Sequence, residues 1–186
     1  MDEVLLIKQA QEGDKKALTE LVKNYEKTVF NFAFKICRNP ERAENAMQET
    51  FFSMVKSLKQ FDGKSKLSTW LYRIVTNHCL MELRKKKNNY ISLDDEENNL
   101  PDGALIPDWS SVPSDIMENT ELKNILDDAI NKLSPDYRAV FILRDVNGLS
   151  TEETGQITEL SIPAVKSRLH RARAFLRNEI SKVINK

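Results

Sequence analysis

Basic side chains are concentrated near the end of this 186-residue chain. From Pro163 to Lys186, seven Lys and Arg residues accompany a single acid, Glu179, whereas the whole chain is neutral, with 28 basic and 28 acidic residues. The seven are Lys166, Arg168, Arg171, Arg173, Arg177, Lys182 and Lys186. Basic residues at this density attract polyanions such as nucleic acid. A solvated helix surface without a ligand is the alternative.

The basic stretch has the period of a helix with two different sides. Its apolar side is formed by Val165, Leu169, Ala172 and Leu176. Its polar side carries Lys166, Ser167, His170 and Arg171. Apolar residues at this spacing pack on a core, so we expect the polar side to face the ligand. Lys166 and Arg171 can donate to guanine O6 and N7 or to phosphate. Arg168 and Arg173 are expected to meet phosphate, which gives affinity without sequence choice.

Capping residues place a second helix directly before the basic one. Ser150 and Glu153 have the S-x-x-E spacing of a capping box, and Ser161 can cap the basic helix. Two helices separated by about three residues, the second of them basic, have the layout of a helix-turn-helix. In that motif the second helix lies in the major groove of DNA, where its first residues reach base edges.

Aromatic and basic residues also alternate in the first half of the chain. Phe61 precedes "DGKSK", and Trp70, Tyr72 and Arg73 follow at once, with Asn77 four residues beyond Arg73. Aromatic and cationic groups stack on unpaired bases for about 1–3 kcal/mol per base, and an amide can read a base edge. Core packing is the alternative for these aromatic residues, and we favour it for Trp70.

The chain lacks the residue groups that enzymes use. It shows no paired carboxylates with a metal shell, no nucleophile beside a base and no Gly-rich phosphate loop. His78 and Cys79 are adjacent and therefore point to different sides of a helix, which is not a metal-ligand spacing. The sequence predicts a binding protein with no catalytic residues, no metal and no cofactor.

Composition and punctuation predict an all-α protein. Only 5 Gly and 6 Pro occur, which disfavours turn-rich β architecture. Asp14 is positioned to cap a helix that reaches "KIC", Asn39 and Pro40 begin the next, and a third runs from about Leu67 to Lys87. After the middle of the chain, helices are expected to begin at Ser114, at Ser134 with Pro135, at Ser150 and at Ser161, with Gly148 as a C-terminal stop.

An acidic segment separates the two helical halves. From Asn88 to Leu122 the chain has nine Asp and Glu residues and no Lys or Arg, and it contains Pro101, Pro107 and Pro113. We therefore predict a helical domain at residues 1–88, a flexible acidic linker at 89–113 and a helix-turn-helix domain at 114–186. A spacer that only solvates is the alternative for the linker, although several Leu residues and Trp109 exceed what a spacer needs.

The sequence also predicts where the protein resides. It opens with "MDEVLLIKQAQEGDKK", which does not resemble a signal peptide, and it has no apolar run of about 18–20 residues that could span a bilayer. We expect a cytoplasmic protein without membrane insertion. Cys37 and Cys79 lie in apolar helical patterns and are expected to be buried free thiols in a reducing compartment.

Both halves resemble one bacterial family. The stretch "LSPDYRAVFILRDVNGLSTEETGQITELSIPAVKSRLHRARAFLRNEI" resembles the promoter-binding C-terminal domain of sigma-70-type RNA polymerase sigma factors, and "GLSTEE" and "VKSRLHRAR" are similar to the extracytoplasmic-function (ECF) group. The stretch from "NPERAENAMQETFF" through "FDGKSKLSTWLYRI" to "LRKKK" resembles the sigma domain that binds the polymerase clamp and opens the −10 element. Gly155 and Glu159 replace the usual Ala and Gly, and Thr154 and Thr158 replace aliphatic residues.

The resemblance implies three sets of site residues. The −35 element would be contacted by Lys166, Ser167, Arg168, His170, Arg171 and Arg173. The −10 element would be captured and melted by Phe61, Lys64, Ser65, Lys66, Tyr72, Arg73, Asn77, Arg84 and Lys85. Core polymerase would be bound by Glu41, Glu44, Gln48, Glu49 and Ser53.

The same resemblance implies a function and its partners. The protein would be a promoter-specificity subunit that binds core RNA polymerase through the clamp coiled coil of the β′ subunit and the flap of the β subunit. It would recognise promoter DNA, melt it and be held inactive by an anti-sigma factor. A stand-alone DNA-binding regulator with an N-terminal dimerisation or sensing domain is the alternative.

Overall fold

The described residues fold as two helical units. The computed structural model describes residues 2–85 and 120–184, and within these ranges regular structure is helical, with no strand. The chain divides between residues 86 and 87 into two compact units. The predicted all-α fold with two helical domains is confirmed. The linker predicted at 89–113 and the boundaries at 88 and 113 lie outside the described residues, so they stay predictions.

The first unit contains four α-helices, and the caps predicted from the sequence begin two of them. The helices are α1 (Glu3–Gln11), α2 (Lys15–Cys37), α3 (Pro40–Ser57) and α4 (Leu67–Lys85), and a 3-10 turn, Leu58–Gln60, follows α3. Asp14 accepts hydrogen bonds from the amides of Lys16 and Ala17, and Asn39 accepts one from Arg42. Helix α1 was not expected from the sequence.

Helices α2, α3 and α4 pack against one another, and α1 lies on α2. Their core is built from fully buried side chains of all three helices, among them Leu21, Phe32, Met54, Leu71 and Val75. Trp70, for which core packing was favoured, is only half-buried, whereas its neighbour Leu71 is fully buried. This core fixes the loop between the 3-10 turn and α4.

The prediction of free thiols is wrong. Cys37 and Cys79 are buried as expected, but they form a disulfide between the end of α2 and the middle of α4. Their Cα atoms are 5.7 Å apart, a separation that a disulfide spans without backbone movement. The 42-residue separation along the chain carries no spacing signal, because the contact exists only after α2 and α4 have packed.

The second unit is built around its last helix. Between residues 120 and 184 its helices are α5 (Thr120–Lys132), α6 (Pro135–Phe141), α7 (Thr151–Thr158) and α8 (Ile162–Ile184), and α6 continues as a π-helical segment, Ile142–Val146. Helix α8 contacts α5, α6 and α7. The predicted start of α5 at Ser114 lies outside the described residues.

A buried arginine joins α5 to α6. The Arg138 guanidinium donates hydrogen bonds to the carbonyl oxygens of Ile130, Asn131 and Leu133 at 3.1, 2.9 and 2.9 Å. Carbonyls at the end of a helix have no partner within that helix. Arg138 therefore satisfies the C-terminus of α5 and sets the position of α6.

Gly155 in α7 and Glu159 at the turn between α7 and α8 are two of the positions that depart from the family pattern. The capping box is formed, since Ser150 Oγ accepts from the Glu153 amide at 3.0 Å and the Glu153 carboxylate accepts from the Ser150 amide at 2.8 Å. Glu159 ends α7 in the left-handed region, with φ of 59°. A Cβ at Gly155 would lie 2.8 Å from the Leu160 carbonyl oxygen. Glycine is thus required inside α7, and a side chain occupies the position that glycine usually takes.

Candidate nucleic-acid interface

Helix α8 has the two sides that its period predicts. Val165, Ala172 and Leu176 are fully buried and Leu169 nearly so. Lys166 and Ser167 are exposed, and His170 is half-buried. Because α7 precedes α8 through the tight turn at Glu159, this polar side is presented at the start of a helix in the manner of a helix-turn-helix.

The first turn of α8 is apolar. Ser161 Oγ accepts from the Ala164 amide at 3.3 Å, and Pro163 has no amide hydrogen. The Ile162 side chain is exposed. Since few backbone donors remain here, the positive potential of α8 comes from its side chains rather than from its N-terminus.

Two arginines on the flanks of α8 are tied to the rest of the unit. Arg173 forms a bidentate ion pair with Asp145 of the π-helical segment, at 2.7 Å from Nε to Oδ2 and 2.6 Å from Nη2 to Oδ1. The Asp145 side chain is only 3% exposed. Arg168 lies 3.6 Å from Asp136 and above the ring of Tyr137. Arg173 thus holds α8 on the fold, a role that the sequence did not indicate.

Arg171 contacts α6 through the hydroxyl group of Tyr137. Its Nη1 donates to the Tyr137 hydroxyl at 3.4 Å, and the residue is half-buried. Tyr137 itself is buried. The contact orients the Arg171 guanidinium beside Ser167 and His170, which share its side of the helix.

The loop before α4 is less basic than its sequence suggests. Lys64 forms an ion pair with Asp62 at 2.8 Å, and Gly63 between them adopts φ of 72°. The hydrogen bond lowers the pKa of Asp62 and raises the pKa of Lys64. Lys66 is exposed and Ser65 half-buried. Lys66 is therefore the loop lysine without an acid beside it among the described contacts.

Aromatic contacts hold both ends of this region. The Phe61 ring packs on Trp70, with centroids 5.4 Å apart, and the Tyr72 ring packs on buried Phe32 at 4.2 Å. Phe61, Trp70 and Tyr72 are each half-buried. Each of these rings thus packs on another aromatic ring and is still partly accessible to solvent.

Helix α4 carries a polar face beside the loop. Arg73, Asn77 and Arg84 are exposed and are spaced by four and seven residues, which places them on one side of the helix. Lys85 is exposed too, but it pairs with Glu82 at 2.7 Å. The structure therefore brings Arg73, Asn77 and Arg84 into line.

Helix α3 separates the residues predicted to bind polymerase. Glu41, Glu44 and Gln48 form one exposed stripe, and Glu49 is exposed on its flank. Ser53 is half-buried, with its Oγ 3.5 Å from His78 Nε2 on α4. Ser53 thus faces α4 rather than the stripe.

Two independent comparisons match the two units to known proteins. Residues 21–89 match the model for "Sigma-70 region 2" and residues 123–176 the model for "Sigma-70, region 4". The ECF RNA polymerase sigma factor SigW of Bacillus subtilis is 34% identical over 94% of each chain, and the ECF RNA polymerase sigma-E factor of Haemophilus influenzae is 33% identical over 94% of this chain and 93% of that protein. The chain belongs to the ECF sigma factors of the sigma-70 family.

A solved structure agrees on the fold of this ECF sigma factor. The sigma factor RpoE of Bartonella quintana, determined with the anti-sigma factor NepR, has a TM-score of 0.61 and 23% identity, over 91% of this chain and 98% of that one. Among the residues described in the ECF sigma factor, no helix has the length and apolarity needed to cross a membrane.

The exposed stripe on α3 of the ECF sigma factor continues into apolar residues that the sequence analysis missed. Phe52 is 58% and Val55 51% exposed, and Lys56 Nζ lies 3.9 Å from the centre of the Phe52 ring. Phe52 and Val55 border a shallow groove between α2 and α3. The run "TFFSMV" could have indicated this exposed apolar surface, because its apolar residues cover more of the helix circumference than one buried side needs.

Proposed function

We propose that this ECF sigma factor binds core RNA polymerase, recognises the −35 and −10 promoter elements and opens the DNA, without a catalytic residue of its own. The observation that carries the proposal is the occurrence, on one chain, of sigma-70 regions 2 and 4, each with an exposed face of basic and polar side chains. Strand opening requires only that unstacked bases bind better than stacked ones.

The polar side of α8 supports recognition of the −35 element. Lys166 and Arg171 supply donors for guanine O6 and N7, and Ser167 and His170 lie on the same side. Arg168, at the edge, contacts phosphate. Arg173 contacts phosphate only through whatever donors its ion pair with Asp145 leaves, so its main contribution is to the position of α8.

The loop and the polar face of α4 support capture of the −10 element. Phe61 and the residues up to Lys66 border the pocket for a flipped base, and Tyr72 and Arg73 stack or pair beside it. Asn77 reads a base edge through its amide. Arg84 and Lys85 contact backbone phosphates farther along α4.

Polymerase binding is assigned to α3. The acids Glu41, Glu44 and Glu49, with Gln48, provide charge complementarity and register against the basic clamp coiled coil of β′. Phe52 and Val55 extend this surface with the apolar area that the core of a protein interface usually contains. The second unit meets the flap of the β subunit. Ser53 contributes to the site on α3 by joining this helix to His78 of α4.

An anti-sigma partner and a cytoplasmic location complete the proposal. RpoE of Bartonella quintana was solved in complex with the anti-sigma factor NepR, and the matching fold supports an anti-sigma partner for this chain. A protein that acts on polymerase and chromosomal DNA works in the cytoplasm.

Transcription in vitro with purified core polymerase tests the function. Promoters selected from a random library by the reconstituted holoenzyme should give defined start sites, whereas core alone should give none. A stand-alone regulator would bind DNA but would not make core initiate. Absence of binding to core polymerase at moderate ionic strength would contradict the proposal.

Asn77→Ala tests the melting step within this assay. The variant should retain −35 duplex binding and lose permanganate reactivity at −10 thymines, because the amide that reads the flipped base is gone. Asn31→Ala, an exposed asparagine on α2, is the matched control and should behave as wild type. Unchanged reactivity in Asn77→Ala would count against base capture at this position.

A further inference from the structure

One side chain of α1 reaches the start of the loop before α4. Gln11 is the last residue of α1, and its Nε2 donates to the carbonyl oxygens of Leu58 at 2.9 Å and Phe61 at 2.8 Å. A primary amide has two N–H donors, so both bonds can form at once. The bonds are partly buried and connect residues 47 and 50 positions apart in the chain.

These two acceptors define the turn that leads into the loop. The Leu58 carbonyl also accepts from the Phe61 amide at 3.0 Å, which closes the 3-10 turn. The Phe61 carbonyl is the last backbone acceptor before Asp62, where the exposed part of the loop begins. Gln11 therefore fixes the backbone on both sides of the turn, at the point from which Phe61 and the following residues project.

The other end of the loop is anchored by apolar packing. Leu67, at the start of α4, is fully buried, and the Phe61 ring rests on Trp70. Between these anchors, Gly63 and the ion pair of Asp62 with Lys64 shape the tip. A loop held at both ends keeps its conformation before a base arrives, which lowers the entropy lost on binding.

We propose that Gln11 is a positioning residue for capture of the −10 base. It holds the loop of Phe61 to Lys66 in the conformation that receives an unstacked base, so α1 contributes to promoter opening without touching DNA. The inference rests on the proposed function, because it assumes that this loop captures a base.

The chemistry of the contact decides which substitutions are informative. Glutamate has the size of glutamine but, when ionised, only accepts hydrogen bonds, so it would repel both carbonyl oxygens. Methionine has similar length and no donor. Lysine has three donors on a chain of similar reach and should restore the contact. Gln9, two residues earlier on α1, is half-buried, and Gln9→Glu adds the same charge to the same helix.

The test uses holoenzyme assembled from the full chain and core polymerase. The probes are fluorescent single strands of the non-template −10 region of a selected promoter, in which each base is replaced in turn by an abasic site. For the wild type we expect one position at which removal of the base weakens binding by about 5- to 150-fold, the range expected for one stacked base.

Gln11→Glu and Gln11→Met should reduce that penalty to less than about twofold, while their affinity for the strand that is abasic at this position stays at the wild-type level. Gln11→Lys and Gln9→Glu should keep the wild-type penalty, and −35 duplex binding should be unchanged throughout. A general loss of structure would instead weaken binding of every strand by the same factor. Should Gln11→Glu fail to fold, Gln11→Met, which adds no charge, decides.

Two results would overturn the inference. The first is a wild-type penalty in Gln11→Met, and the second is an equal loss for all probes. If the wild-type holoenzyme starts transcription at defined promoters but shows no sensitive position, the inference fails while the sigma factor function stands. If the wild type does not start transcription, the proposed function fails first.

Discussion

Arg173 and Lys166 lie seven residues apart on α8 and so share a side of the helix, yet their surroundings differ. Arg173 forms two hydrogen bonds with the buried carboxylate of Asp145, whereas Lys166 is exposed. If one partner of a buried ion pair is removed, the other charge stays buried without a partner, and this lowers the stability of the fold. Of these two basic side chains, Arg173 is therefore committed to the fold, and Lys166 is left for the proposed contact with DNA.

Substitution of each residue should separate the two roles. Arg173→Ala should lower the free energy of unfolding by about 3–5 kcal/mol, since Asp145 would remain buried and unpaired. Lys166→Ala should leave stability within about 0.5 kcal/mol and weaken promoter binding. If Lys166 meets only phosphate, the slope of log affinity against log salt should fall by about one unit.

Urea unfolding and DNA binding at several salt concentrations measure these effects. Lys123→Ala, which removes an exposed charge from α5, is the control for Lys166→Ala and should change neither quantity. A stable Arg173→Ala variant with a reduced salt slope would show that Arg173 is a phosphate contact, as its sequence position suggested.

Thr154 is a residue at which stability can be gained. Its side chain is fully buried in α7, and its hydroxyl has no hydrogen-bond partner within the described residues. Thr154→Val has nearly the same shape and removes the unpaired hydroxyl, so the free energy of unfolding should rise by about 1–2 kcal/mol. Thr158→Val is the control, because the Thr158 hydroxyl donates to the Thr154 carbonyl at 2.7 Å. Equal effects of the two substitutions in urea unfolding would contradict this reading.

At the scale of elements, a cluster of charges joins α5 to the end of α8. Glu179 accepts from Lys132 Nζ of α5 and from Lys182 Nζ one turn along α8, both at 2.6 Å. The Glu179 side chain is only 12% exposed. These hydrogen bonds, Lys132 first, hold the pKa of Glu179 below its ordinary value of 4.5.

The sign of this shift gives a pH dependence. Because the pKa is lower in the folded than in the unfolded state, the cluster stabilises the fold at pH above about 4.5 and loses its contribution as pH falls through the folded pKa. The difference in unfolding free energy between wild type and Glu179→Gln should be constant near neutral pH and shrink in acid. Urea unfolding at a series of pH values measures it, and a difference independent of pH would refute the assignment.

Local chemistry explains which elements the sequence could predict. Asp14, Asn39 and Ser150 cap helices through hydrogen bonds to amides two or three residues away, so the pattern alone indicates the helix start. Helix α1 was missed because it has only nine residues and a weak apolar period. Its stability depends on packing against α2, which the local sequence does not indicate. Short helices of this kind owe their stability to tertiary contacts.

Non-local contacts explain the rest. The disulfide of Cys37 with Cys79 and the ion pair of Arg173 with Asp145 join residues from different helices, and neither spacing indicates a partner. The polar side of α8 followed from its period, since one helix decides it. The apolar end of the α3 stripe did not, because the sequence does not say how much of α3 its neighbours cover.

At the scale of the whole molecule, the net charge is zero, but basic and acidic residues are unevenly distributed along the chain. Residues 1–87 carry 17 Lys and Arg and 11 Asp and Glu, residues 88–122 carry nine acids alone, and residues 123–186 carry 11 basic and eight acidic residues. Two positive units are thus joined by a negative segment. We expect these acids to compete with DNA phosphates for basic side chains and to repel the duplex at long range.

Neutralising part of this segment should strengthen non-specific DNA binding by the free chain. Replacing Asp94, Asp95, Glu96 and Glu97 with their amides should raise affinity for random duplex DNA several-fold near 20 mM salt and leave it unchanged near 0.5 M, where charges are screened within about 4–5 Å. Replacing Asn98 and Asn99 with Gln is the uncharged control. Equal affinities at low salt would show that the acids do not act on the DNA faces.

The exchange of glycine and side chain across the α7–α8 turn restricts the order in which mutations can accumulate there. Adding a methyl group at Gly155 while Leu160 keeps its present position brings a Cβ to 2.8 Å from a backbone oxygen, whereas Glu159→Gly relieves a left-handed backbone and lets the following peptide rotate. We therefore expect Gly155→Ala to be tolerated better in a chain that already carries Glu159→Gly than in the wild type. A lineage that acquired the alanine first would therefore be expected to pass through a less stable intermediate.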